Sequence, residues 1–220
     1  MIKLKIVIHK IFNRFGYELK KLPNHIDSIS FLNYAEKAKA INYYIEENKI
    51  TKIHFACGSN LFDKEWINVD FYQNDLIDNY FDIDLTKRHP FTSNSIEIAY
   101  CEDFIEHLNQ ADSIFFLSEV YRILKKKGTI RLSFPGLEGV LKTHFEPCDY
   151  NNTIKGIFDA YTKWGHLHFY SKEELSLLGK HIGFTEINFY EFKKSNICAL
   201  AGIDRREEQK HLNTYVELIK

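Results

Sequence analysis

A turn able to cradle a nucleotide stands at Cys57-Gly58-Ser59-Asn60, directly after the run Ile53-His54-Phe55-Ala56. Small side chains at 56 and 58 let a ligand come close to the backbone, and Asn60 tolerates a left-handed conformation. Twelve residues past Gly58 comes Asp70, ending Trp66-Ile67-Asn68-Val69-Asp70. A carboxylate at such a strand end can accept hydrogen bonds from both ribose hydroxyls. Proton chemistry has three histidine candidates: His107, beside Glu106, and the pair His166 and His168. Two residues apart in an extended segment, that pair would share a face. With His144 and Cys148 they are metal ligands by type, but the spacing fits no compact motif, so no metal is expected.

These groups need elements to hold them. Thr51–Ala56, Trp66–Asp70, Tyr80–Ile83, Ile96–Cys101, Thr129–Phe134, Ile187–Phe192 and Asn213–Ile219 read as strands. Helical spacing runs through Phe31–Asn48, where Ser30 is placed to cap, and through about Ala111–Lys125 before Gly128. A third helix follows Ser171, with Glu174 completing a capping box, and ends at Gly183. Strands alternating with helices predict a parallel α/β sheet, whose ligands bind beyond the carboxyl ends of its strands. Residues 136–168 are less regular. They read as an acceptor-site insertion over 136–170, in which Phe145, Tyr150, Phe158, Tyr161, Trp164, Phe169 and Tyr170 close a small core or stack on a ring. Only eight residues, Gly58–Glu65, separate Cys57 from Trp66, which predicts a first crossover without a long helix.

The 220 residues suit one domain with a short extension, and the net charge of −1 excludes a broadly basic nucleic-acid coat. Charge is uneven: residues 1–24 carry +5, leaving −6 for the rest. Lys3, Lys10, Arg14 and Lys21 fall on one side of a helical wheel, and Leu4, Ile8, Ile11, Phe12, Phe15, Leu19 and Leu22 on the other. Such a helix packs on the domain or, through residues 1–22, touches an anionic membrane surface. The acidic remainder lacks the basic stripe a phosphate backbone needs, so no nucleic-acid partner is expected. Four scattered cysteines, no 18-residue apolar run and no signal-peptide pattern point to a cytoplasmic chain, at most peripheral to the inner face of a membrane.

The 53–60 turn with Trp66-Ile67-Asn68-Val69-Asp70 resembles the opening of class I S-adenosylmethionine-dependent methyltransferases, in the small bacterial branch of type 11-like domains. The resemblance continues through Asp84-Leu85-Thr86, Pro90-Phe91 and Asn94-Ser95, then Tyr100–Leu108, Glu119–Lys125 with Gly128, and Gly165–Tyr170 with Gly183-Phe184. It implies a Rossmann-like fold: a mostly parallel seven-stranded sheet with an antiparallel C-terminal strand, over residues 28–220, after an extension at 1–27. It also implies S-adenosylmethionine as cofactor. Ala56, Cys57, Gly58 and Asn60 would then line the methionine part and Asp70 the ribose, while Asp84 and Leu85 would meet the adenine. Glu102 and Asp103 would lie by the methyl end. Ala56 stands where the family has Gly. Glu102-Asp103 replaces Ser-His, which predicts a more acidic rim.

The activity implied is methyl transfer to a small-molecule or glycan-linked acceptor, with a hydroxyl expected as the acceptor atom. The basic N-terminal segment resembles extensions on enzymes of bacterial surface-polysaccharide biosynthesis. Two other readings stand beside it. One is a module that binds the cofactor but has reduced catalysis. The other is a nicotinamide-dependent oxidoreductase, for which the Gly58–Asp70 spacing is short and a Gly-x-Gly-x-x-Gly run is missing.

Overall fold

The computed structural model describes residues 34–71, 77–145 and 149–220. The basic segment 1–27, Ser30 with the start of its helix, and Cys148 lie outside them. The chain divides into compact units Met1–Glu36 and Lys37–Lys220, and the second holds the whole sheet.

Seven strands form that sheet: β1 Lys52–Phe55, β2 Trp66–Asp70, β3 Tyr80–Asp82, β4 Ile96–Glu102, β5 Leu124–Pro135, β6 Glu186–Tyr190 and β7 Asn213–Ile219. Their order is β3-β2-β1-β4-β5-β7-β6. β1 to β5 pair in parallel, and β7 runs antiparallel between β5 and β6. The order reverses at β1 and β4, the switch point where open α/β sheets bind ligands.

Helices α1 (Tyr34–Asn48), α2 (Gln110–Ile123) and α5 (Lys172–Ile182) supply one core. Ile41 and Ile45 of α1, Phe116, Leu117, Val120 and Ile123 of α2, and Leu175 of α5 meet the apolar strand residues Ile53, Phe55, Ile67, Val69, Ala99, Ile130, Leu132, Val216 and Leu218. Successive strand residues face opposite sides, so the alternate positions face away from this core. They are His54, Asn68, Tyr100, Arg131 and Glu217, all buried. Loops cover them. Phe62, from the β1–β2 connection, stacks on the His54 ring at 4.0 Å. Ile197, Leu200 and Ile203, from the β6–β7 connection, join Trp66 and Tyr100 in a second small core.

The β1–β2 crossover contains turns and no helix, as its length requires. Ser171 Oγ accepts from the Glu174 N–H at 3.0 Å, and Gly183 ends α5 at φ +121°. Two expectations need correction. Helix α2 stops at Ile123 and β5 begins at Leu124, with a register shift against β4 before Thr129. Residues 136–168 are largely helical, as α3 (Leu137–His144), α4 (Tyr150–Ile157) and a π-helical continuation, Phe158–Lys163. Of the seven aromatic residues read there as core or ring platform, only Phe169 and Tyr170 are buried; the other five are exposed.

Candidate active site

Parallel pairing aligns the carboxyl ends of β1, β2 and β4, with Phe55 opposite both Val69 and Cys101. The residues after these strands converge there. Ala56 and Gly58 both take left-handed backbone, at φ +49° and +54°. Glycine adopts that region freely, whereas alanine does so at about 1–2 kcal/mol. This explains why the family uses Gly at position 56, and it makes Ala56 a strained residue. The turn is closed by the Asn60 N–H donating to the Cys57 carbonyl at 2.9 Å. Burial pushes the Cys57 thiol up to about 12, so it is no nucleophile.

Asp70 ties the second strand end to this turn. Its Oδ2 accepts from the Gly58 N–H and its Oδ1 from the Phe71 N–H, both at 2.6 Å. A carboxylate has about four acceptor sites, so both oxygens keep capacity for hydroxyls. Asp84 closes a turn of its own, accepting from the Thr86 N–H and hydroxyl, and the buried Leu85 follows it.

The acidic rim expected at Glu102-Asp103 is corrected by two arginines from the β6–β7 connection. Arg205 reaches Glu102 at 3.2 Å and also the Asn60 carbonyl. Arg206 pairs with Asp103 at 2.7 Å. Asp103 is itself at φ +49° and accepts from the Asn213 side chain. Burial raises its carboxyl to about 6, against the pull of Arg206. The stretch 191–212 shows no periodicity, and the adjacent Arg205-Arg206 pair was its one signal. Asp204, beside it, locks the same loop down, bonding the fully buried Arg131 at 2.7 Å while Glu217 takes the other arm of that guanidinium at 2.9 Å.

Beyond Asp103 opens a pocket of about 260 Å³. Its lining includes the polar Asp103, Glu106, His107, His166 and Arg206 and the apolar Val140, Ala160, Trp164, Phe169 and Leu212. Glu106 and His107 sit in a single 3₁₀ turn, Ile105–His107, after β4. The Glu106 carbonyl accepts the Leu167 and His168 N–H groups, at 2.7 and 3.2 Å. That strap carries the His166 ring to 4.7 Å from the His107 ring, edge to face. Burial lowers both imidazoles, His166 to about 4. His168 does not join them: its Nε2 meets Glu174 at 2.9 Å, and its ring packs on Tyr170. The structure thus separates the two histidines that an extended segment would place on one face, and Glu174 bonds His168 rather than the Ser171 N–H.

The family model of the methyltransferase domain matches residues 57–132, spanning the turn, Asp70, Asp84 and Glu102-Asp103. The match covers about a third of the chain and marks it as a methyltransferase. This methyltransferase shares its fold with solved structures of low identity. An S-adenosylmethionine-dependent methyltransferase from Mesorhizobium loti is 14% identical with TM-score 0.54, over 78% of this chain and 91% of that one. A possible histamine N-methyltransferase from Thermotoga maritima is 18% identical with TM-score 0.52, over 87% and 97%. A SAM-dependent methyltransferase from Archaeoglobus fulgidus is 14% identical with TM-score 0.50, over 83% and 94%. No curated protein matches the chain.

S-adenosylmethionine is the cofactor of this class, and the residues of this methyltransferase fit it. The space beside Gly58 is open, with no atom within 4 Å of where a Cβ would stand. Asp70 keeps free lone pairs, and Glu102 and Asp103 carry carboxylates to the strand ends between the turn and the pocket. No helix among the described residues is long and apolar enough to cross a membrane.

Proposed function

We propose that this methyltransferase moves the methyl group of S-adenosylmethionine to a hydroxyl of a small-molecule or glycan-linked acceptor held in the pocket beside Asp103. One observation carries the reading: Asp103, at the carboxyl end of β4, lines the pocket together with the proton-accepting groups Glu106, His107 and His166. In the in-line displacement the acceptor oxygen forms a bond to the methyl carbon as the sulfur–carbon bond breaks, so the protein's main contribution is to hold the two at near-attack distance. The hydroxyl proton passes to one of these groups. Neutral His107 and the carboxyl of Asp103, raised to about 6, both suit proton acceptance near pH 7. The apolar lining by Val140, Phe169 and Leu212 matches the carbon skeleton of an acceptor. Arg205, between the Asn60 carbonyl and Glu102, is placed for the carboxylate of the cofactor's methionine part.

The test offers alcohols and oligosaccharides with isotope-labelled cofactor and detects labelled product by mass spectrometry. We expect acceptor-dependent S-adenosylhomocysteine release, cut about 10²-fold or more by His107→Ala or Asp103→Asn. Labelled amines with unlabelled alcohols would replace the hydroxyl assignment. Tight S-adenosylhomocysteine binding with no product from any acceptor would favour a binding module instead.

A further inference from the structure

Among the described residues, Glu106, His107 and His166 form the one group of three metal-type ligands, their ligand atoms all within 4.8 Å of one another. Glu106 is fully buried, and neither of its carboxylate oxygens has a hydrogen-bond partner. His107 Nε2 stands 3.9 Å from Oε1, beyond hydrogen-bond reach. The buried Nδ1 of His166 is likewise unpartnered. A buried carboxylate in that state is costly unless it is protonated or neutralised. The nearby guanidinium, Arg206, is already committed to Asp103.

We propose that Glu106, His107 and His166 bind a divalent transition-metal ion of the zinc class, with an open coordination position facing the acceptor pocket. The donor set of two imidazoles and one carboxylate is that of three-ligand zinc sites which leave a fourth position free. Ligand distances of about 2.0–2.2 Å bring tetrahedral donors to roughly 3.5 Å from each other. Modest side-chain rotations close the present set to that spacing. The scaffold around it is built for position. Glu106 and His107 share one 3₁₀ turn, and the strap bearing His166 is pinned to the Glu106 carbonyl by two N–H groups. The expectation of no metal rested on His144, Cys148, His166 and His168, whose spacing suits no site. The ligands here come from a different pairing, 59 residues apart, that folding alone brings together.

The inference rests on the reading that acceptor oxygen enters this pocket. An acceptor with a hydroxyl, or with two adjacent oxygens, would complete the coordination of such an ion. His107 then serves as a ligand, and Asp103, which lines the same pocket, remains as the proton acceptor.

The experiment uses full-length protein stripped with chelator and needs neither cofactor nor acceptor. Zn²⁺ retention is measured by equilibrium dialysis and elemental analysis, and Co²⁺ serves as the spectroscopic probe. We expect one ion per chain, visible Co²⁺ bands of four- or five-coordinate intensity, and a melting temperature raised by Zn²⁺. Glu106→Gln and the half-exposed His166→Ala should each weaken Co²⁺ binding at least tenfold and abolish the Zn²⁺ melting shift, while His168→Ala keeps both. Circular dichroism checks each fold, and His166→Ala decides the matter if Glu106→Gln fails to fold. Absence of Co²⁺ bands and of retained Zn²⁺, or equal affinity in the variants, would overturn the proposal. Failure there leaves methyl transfer standing. Ion binding with no acceptor methylated sinks the methyl-transfer reading alone.

Discussion

On one face the central strands present Phe55, Val69, Ala99, Leu132 and Val216 to helices; on the other, one residue earlier or later, they present His54, Asn68, Tyr100, Arg131 and Glu217 to loops. Both sets are buried. Helices satisfy their own backbone groups and need only an apolar stripe to dock. Loops bring carbonyls and N–H groups that want partners, so the sheet beneath them is polar. Arg131 answers this with donors to Asp204, Glu217 and the Glu191 carbonyl. The loop-covered face also carries Arg205 and Arg206 to the functional edge. The helix-covered face is built for stability, and the loop-covered face ties stability to the site.

The comparison breaks first at Arg131. Arg131→Met leaves Asp204 and Glu217 buried without their cation, an expected loss of about 3–5 kcal/mol. Denaturant unfolding measures it, and a loss under about 1 kcal/mol would show that the loop face contributes little. The two cores can be weighed directly with Leu117→Ala under the helices and Leu200→Ala under the loops, both fully buried in the native state. Such truncations cost about 2–5 kcal/mol, more where the site cannot collapse. The larger loss is expected at Leu117, because a loop relaxes into the space more readily than a helix. Equal losses would mean that the loops are packed as rigidly as the helices.

At the edge the faces share, Asp70→Ala removes the acceptor of the Gly58 N–H as well as any hydroxyl bonds. Charge-assisted bonds are worth roughly 1.5–3 kcal/mol each, so calorimetry should show S-adenosylhomocysteine binding at least tenfold weaker with the fold intact. Unchanged affinity removes Asp70 from the cofactor site. The last effect concerns pH. Burial, then the charge of Arg205, lowers His54 to about 3, whereas an unfolded histidine titrates near 6.5. Between those values the unfolded chain binds a proton that the folded one refuses. Stability from this group is therefore full above about pH 6.5 and falls by roughly 1.4 kcal/mol per pH unit below it. Asp103, raised to about 6, acts in the opposite sense as pH falls from 6 toward its unfolded value. Comparing His54→Phe with the parent from pH 7 to 5 isolates the histidine: the variant's profile should be flatter. Parallel profiles would remove His54 as their source.

Much of this was legible from one face only. β2 and β7 fall where the sequence places them, at Trp66–Asp70 and Asn213–Ile219, since apolar alternation marks the helix side. The burial of Arg131 and Glu217 was not legible, because an ionisable strand residue looks solvent-facing until its partner is known, and Asp204 lies 73 positions from Arg131. Helices α3 and α4 were hidden by Gly139 and Gly156, which argue against helix on propensity. Both are there for contact: a Cβ on Gly139 would meet the Leu212 carbonyl at 2.0 Å, and one on Gly156 would meet His144 at 2.7 Å. In the site, the strand-end acids Asp70 and Glu102-Asp103 were found by position. Arg205 and Arg206 were missed, as was the meeting of His107 with His166 across the strap.

The loop connecting β6 to β7 has a consequence for how the protein breathes. Its anchors reach far along the chain, with Arg205 bonding Glu102 across 103 positions, and such contacts form late because loop closure precedes their reward. The layer it forms is thin, with Leu200 its one buried apolar residue in the second core. Amides of residues 193–206 should therefore exchange with deuterium through a partial opening, at lower free energy than those of α2 and β4, which wait for global unfolding. Each opening lifts Arg205 and Arg206 from Glu102 and Asp103 together, so the rim's charge changes by two units in one event. Exchange rates in that loop thus report how often the functional edge shows its bare carboxylates to solvent.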